Sequence, residues 1–184
     1  MAQDDIKLFL EYLRVERQYS QNTIKAYHSD LEEFCSFLEH NGGMKPFKEI
    51  DHLDVNVFMT DLFDRKYSRT TISRKLSSLR SFYNFLAKND LVTNNPFAGI
   101  KLKKHQDQLP RFFYQKEMDA LFKAAKSESP LALRNSALLE VLYGTGIRVS
   151  ECANLKWKNV DFVLKMMLIR GKGDKERYVP FGQY

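Results

Sequence analysis

Apolar positions in the first half of the chain recur at helical spacing. Residues 4–17 place Ile6, Phe9, Leu10 and Leu13 on one side, with Asp4 and Asp5 at the start, where the helix dipole favours negative charge. Ser20 is an N-cap for a helix to about His40, striped by Ile24, Tyr27, Leu31, Phe34 and Leu38, and Gly42-Gly43 ends it. Asp51 can cap a third helix carrying Val55, Phe58, Met59 and Leu62. Ser68 can cap a fourth, with Ile72, Leu76, Leu79, Tyr83 and Leu86 inward. None of these helices buries enough area to stand alone, so the four stripes predict one bundle. Phe82, Tyr83 and Phe85 can be taken as base-stacking rings, but beside Leu79 and Leu86 their spacing reads as core.

Asn94-Asn95-Pro96 breaks this pattern, and the basic, polar string KLKKHQDQLP at 101–110 has the composition of a linker. The expected organisation is a helical domain over 1–100, a linker over 101–110 and a second domain over 111–184. That second segment restarts with an amphipathic helix near 115–126 (Met118, Leu121, Phe122, Ala125) and a more apolar one at 131–143. Gly144-Thr145-Gly146 then forces a tight turn, and Ser150 is placed to cap a short helix through Leu155. MMLIR (166–170), GKGDKE (171–176) and RYVPF (177–181) read as strand, glycine-rich turn and strand.

A chain of 184 residues with 43% hydrophobic and 28% charged residues can bury a core, which excludes the disordered and collagen-like classes. No apolar run approaches the ~18 residues of a membrane span. The start MAQDD is acidic and polar, unlike a secretory signal, so a soluble, cytoplasmic protein is expected. Cys35 and Cys152 offer neither a disulfide framework nor zinc spacing and read as small core residues, and Trp157 reads as a packing anchor.

The net charge is +6, unevenly distributed. Residues 1–64 hold 6 Lys/Arg against 13 Asp/Glu, whereas residues 65–104 hold 10 against the single acid Asp90. Such a block is what a polyanion-binding face needs, because each cation set on a phosphate releases counterions. It is equally the composition of a solvated helix face followed by a charged linker. On the fourth helix Arg69, Arg74, Lys75 and Arg80 lie off the apolar stripe, with Ser73, Ser77, Ser78 and Ser81 keeping that surface small. Lys103 and Lys104 continue the charge into the linker. Small hydroxyls beside arginines suit close approach to a DNA backbone.

Two further residues can carry chemistry. Arg148 follows the double-glycine turn and precedes a helix start, a place where backbone donors and a guanidinium can meet an anion; a structural ion pair to Glu151 is the plainer alternative. Lys172, between Gly171 and Gly173 at a hairpin tip, can enter a groove or simply stay solvated. Neither glycine pair completes a nucleotide-binding phosphate loop, and His28, His40, His52 and His105 have no metal-ligand spacing.

The strings holding these two residues decide more than the residues alone. LLEVLYGTGIRVSECANLKWKNVD (138–161) with IRGKGDKERYVPF (169–181) closely resembles the catalytic domain of tyrosine site-specific recombinases of the Xer branch. FLEYLRVERQYSQNTIKAYHSDLEEFCSFL (9–38) and TTISRKLSSLRSFYNFL (70–86) resemble the core-binding domain of the same proteins, and LPRFFYQKEMDAL is similar to their XerC subgroup.

The resemblance implies a mainly α fold: a SAM-like four-helix core-binding domain, then the first part of a mixed α/β catalytic domain with a β-hairpin. It implies double-stranded DNA as substrate, a second recombinase of the Xer type in a tetrameric synaptic complex, and strand cleavage through a 3′-phosphotyrosyl link without metal or nucleotide cofactor. The biological role it implies is resolution of chromosome dimers. Arg148 matches the first catalytic arginine and Lys172 the hairpin lysine that protonates the departing 5′-oxygen. The family's His-x-x-Arg pair and nucleophilic tyrosine have no match here; Tyr184 is not at the nucleophile's position, and Asn135 stands where the pattern usually has Asp. The expectation is a chain cut inside its catalytic domain that binds DNA without cleaving it. A non-catalytic DNA-binding module and a protein–protein adaptor are the alternatives.

Overall fold

A computed structural model describes residues 2–100, 102, 109, 111–126, 130–171, 173 and 175–182. It falls into two units, residues 1–107 and 108–184. The first holds four α-helices: α1 (Ala2–Val15), α2 (Gln21–His40), α3 (His52–Asp64) and α4 (Arg69–Lys88). A 3₁₀ turn at Phe47–Glu49 leads into α3.

The local chemistry expected at the helix starts is in place. Ser20 Oγ accepts the Thr23 N–H at 3.3 Å, and Ser68 Oγ accepts the Thr71 N–H at 3.1 Å. Asp51 accepts the Leu53 and Asp54 N–H groups at 2.8 and 3.0 Å, while Asp54 accepts the Asp51 N–H at 3.1 Å, a reciprocal capping box. The first helix stops two residues earlier than its apolar spacing suggests. Gln18 takes a left-handed φ of 50° and Tyr19 N–H closes onto the Leu13 carbonyl at 3.0 Å, which turns the chain.

Aromatic rings dominate the core of this bundle. Phe9, Phe34, Phe58, Phe82, Tyr83 and Phe97 are fully buried, and Phe34 meets Phe58 edge-on at 5.0 Å and Phe97 at 5.6 Å. Burying each such ring contributes about 1.5–3 kcal/mol. Phe82 and Tyr83 are therefore core residues, as their spacing predicts, and Phe85, partly buried, packs against the same cluster beside Phe9.

The second unit carries α5 (Gln115–Ala125), α6 (Ala132–Thr145), the five-residue α7 (Val149–Ala153) and a 3₁₀ turn at Trp157–Asn159. A three-stranded antiparallel sheet follows in the order β1 (Val160–Asp161), β2 (Met166–Arg170), β3 (Glu176–Pro180). The β2–β3 hairpin pairs Ile169 with Arg177 and Arg170 with Glu176. Its buried core is small: Ile147, Met167 and Ile169, with Val141, Leu142, Cys152, Leu155, Val160, Val179 and Phe181 packed around them.

Two expectations are corrected in this unit. Ser150 lies inside α7; the N-cap is Arg148, because the Glu151 carboxylate takes over the capping of the backbone there. Trp157 is not a buried anchor. It is 80% exposed and touches the ring of Phe162 at 4.9 Å, since so small a core offers the indole no surface to pack on.

Candidate nucleic-acid interface

The basic residues of α4 behave differently from what a helical wheel suggests. Asp30 on α2 is 1% exposed, and a buried carboxylate is stable only when charge-paired and hydrogen-bonded. Arg74 supplies a two-pronged pair, with Nη2 at 2.8 Å from Asp30 Oδ1 and Nη1 bonded to Oδ2. Lys75 Nζ donates to Asp30 Oδ1 at 3.1 Å and also to Glu33, and Ser78 Oγ donates to Asp30 Oδ2 at 2.7 Å.

Lys75 is accordingly buried rather than off the apolar stripe, and its ammonium lies over the ring of Tyr67 at 5.3 Å. Burial disfavours its charge, but the hydrogen bonds it donates to Glu33 and Asp30 outweigh that and hold its pKa above the ordinary lysine value. Arg80 donates to the backbone carbonyls of Phe97 at 3.1 Å and Ile100 at 2.9 Å, clasping the segment after α4. Ser78 is buried while Ser73 and Ser77 are exposed.

The single basic surface expected from the sequence is thus divided. Arg69 is exposed and, among the described residues, has no side-chain partner. Arg74 is half exposed but held by Asp30. Lys103, Lys104 and Lys172 lie outside the described residues.

A second cationic site is built at the start of α7. Gly146, left-handed at φ 64°, ends α6 and turns the chain so that Ile147 enters the small core. The next residue, Arg148, is extended, and its side chain is 71% exposed. Glu151, one turn on, is 5% exposed and receives four donors. Arg148 donates its backbone N–H to Oε2 at 2.9 Å and its Nη1 to Oε1 at 3.0 Å. From β3, Arg177 adds a bidentate pair, Nη1 to Oε1 at 3.0 Å and Nη2 to Oε2 at 2.8 Å.

Hydrogen bonds from Arg177, then from the Arg148 backbone, push the Glu151 carboxyl down to about 2. Gly171 at the root of the hairpin lies against this pair: a Cβ there would sit 3.2 Å from Arg177 Nη1 and 3.3 Å from Glu151 Oε1. With only five residues in α7, the attraction for an anion rests on the guanidiniums rather than on a helix dipole.

The ion pair from Arg148 to Glu151 is present, and the arginine side chain is nonetheless 71% exposed. Arg177 was not among the residues singled out from the sequence. Its partner lies 26 positions away on another element, and no local pattern announces it. Beside the cluster, a cleft of about 240 Å3 is lined in part by Lys156, Lys158, Arg170 and Asn154. Among the described residues, no group of three or more His, Cys, Asp or Glu could hold a metal ion. Cys35 is half-buried, and burial pushes its thiol up to about 11.

Comparison with known proteins reaches nearly the full chain. Residues 6–90 match the family described as "Phage integrase, N-terminal SAM-like domain", and residues 111–184 match "Phage integrase family". The chain belongs to the phage integrase family. Within it, the chain is 57% identical over 180 residues to tyrosine recombinase XerC of Pediococcus pentosaceus, covering 97% of this chain and 60% of that protein. It is 49% identical over 179 residues to tyrosine recombinase XerC of Listeria innocua, covering 97% and 59%. The chain therefore spans about 60% of the length of the curated relatives it matches.

Among solved structures, a lambda integrase tetramer bound to a Holliday junction aligns with a TM-score of 0.75 at 16% identity, over 99% of this chain and 51% of that one. A Tn1549 transposon integrase in complex with a circular intermediate DNA aligns at 0.72 and 18% identity, over 97% and 61%. At such identity these two show the shared fold.

Proposed function

We propose that this chain is the DNA-engaging part of a XerC-type tyrosine recombinase, which cleaves and rejoins DNA at a specific site through a 3′-phosphotyrosyl intermediate. Residues 1–100 serve as the core-binding domain, 101–110 as the linker and 111–184 as the first part of the catalytic domain. Arg148 is assigned to the non-bridging oxygens of the scissile phosphate, where a rigid, permanently charged fork stabilises the pentavalent transition state in place of a metal. Lys172 is assigned to the departing 5′-oxygen as general acid. The chain itself binds duplex DNA. In the longer protein the partner is a second recombinase of the Xer type in a tetramer, the setting is the cytoplasm, and the role is resolving chromosome dimers.

The observation that carries this reading is the outward guanidinium of Arg148, held on the Glu151–Arg177 pair at the root of the hairpin whose turn contains Lys172. Exposed Arg69 on the first unit is the second candidate phosphate contact. Arg74, Lys75 and Arg80 are proposed to act on DNA only indirectly, by fixing α4.

The test is a titration of a labelled DNA duplex at increasing salt. Affinity should fall steeply, with a log–log slope close to the number of phosphates engaged. Binding insensitive to salt would instead favour the adaptor. In a chain extended through the family's tyrosine, Arg148→Ala should abolish the covalent protein–DNA complex while duplex affinity loses no more than about one phosphate contact.

A further inference from the structure

Arg148 and Arg177 share one carboxylate, and they share it unequally. Arg177 meets Glu151 with two parallel bonds, whereas Arg148 gives it a single guanidinium N–H and its backbone amide. Both oxygens of Glu151 are filled, each by two donors. The cluster therefore holds two guanidiniums against one carboxylate, with the surplus positive charge on the more exposed side chain: Arg148 is 71% exposed and Arg177 is 43% exposed.

We propose that Arg177 is a positioning residue. It acts as the counterion of Glu151, so that Arg148 is left outward with its charge and remaining donors available to a DNA phosphate. This rests on the reading of Arg148 given above. Without Arg177, a nearly buried carboxylate would have Arg148 as its neighbouring cation. Leaving a buried charge half-compensated is costly, so Glu151 would draw that guanidinium into its own bidentate pair. The phosphate-binding arginine would then be neutralised from behind. Because Arg177 sits on β3 opposite Ile169, and Gly171 packs against the pair, the same contact ties the root of the hairpin to α7.

Charge arithmetic supplies the test. The 184-residue chain is titrated with a fluorescein-labelled, mixed-sequence DNA duplex across a salt series, with helical circular dichroism confirming folding at the assay temperature. Arg148→Ala should lower the log–log salt slope by about one. Arg177→Gln should lower it by a similar amount. Glu151→Gln combined with Arg177→Gln removes the carboxylate together with its counterion and should return the slope to that of the unaltered chain. Combining Arg177→Gln with Glu176→Gln, which removes an exposed acid paired to Arg170 instead, should not restore it.

If Arg177 itself touched phosphate, the Glu151/Arg177 double variant would stay about one unit low, and that result overturns the inference. So does a folded Arg177→Gln chain with an unchanged slope. Should Arg177→Gln alone fail to fold, the neutral double variant still decides between the two. An unchanged slope in Arg148→Ala would overturn the functional reading itself, and this inference with it.

Discussion

The two units use their cations in opposite directions. In the first, Lys75 and Arg74 turn back onto Asp30, and Arg80 clasps backbone carbonyls, so that much of the densest run of positive charge works as internal fastening. In the second, one carboxylate holds two guanidiniums at the surface, and the more exposed one points outward. Their cores differ in the same sense. The first buries a continuous cluster rich in aromatic rings, while the second, among the described residues, buries three apolar side chains and leaves Leu133, Trp157 and Val163 exposed. Formal charge is thus a poor guide to an electrostatic footprint: what counts is whether a buried acid lies within reach.

The largest expected effect breaks the internal fastening. Asp30→Ala leaves Lys75 buried beside Glu33 alone and removes the partner of Arg74 and Ser78, and should destabilise the first unit by about 3–5 kcal/mol in urea denaturation followed by helical circular dichroism.

Next comes acid. The folded pKa of Glu151 lies near 2, below its ordinary value of 4.5, so its contribution to the stability of the second unit is complete above that ordinary value. It is lost as pH falls from about 4.5 toward 2, and a Glu151→Gln chain should lack this limb in thermal melts across that range.

Smaller still is Trp157→Ala. With the indole 80% exposed, the cost in this chain should stay within about 0.5 kcal/mol, measured by the same denaturation. Truncating the fully buried Phe34 to Ala is the matching control and should cost about 3–5 kcal/mol. The smallest stability effect is expected for Arg69→Ala, which should leave melting unchanged while lowering the salt slope of duplex binding by about one.

What was legible in the sequence is what local chemistry decides. Ser20, Asp51 and Ser68 announce their helices because the capping group and the amides it receives are two or three residues apart. The hairpin is legible from its glycines, and the family from the strings around Arg148 and Lys172. The contacts that set the candidate site are different in kind. Lys75 finds Asp30 across 45 positions, and Arg177 finds Glu151 across 26, so each pairing depends on how separate elements pack. A wheel drawn on α4 alone puts Lys75 outside its apolar stripe. Only the acids of α2 bring it in. Trp157 failed for a related reason, since an aromatic residue packs only where neighbouring elements supply a surface.

Gly171 has a consequence for how the hairpin can vary. Where a methyl would crowd both a guanidinium and a carboxylate, the arm is seated at its hinge by the absence of a side chain. Adding one carbon at position 171 must shift the Arg177 guanidinium and the Glu151 carboxylate by a few tenths of an ångström, at the contact that joins β3 to α7. The fit between hairpin and helix is therefore set at the base of the arm, by a residue with no side chain.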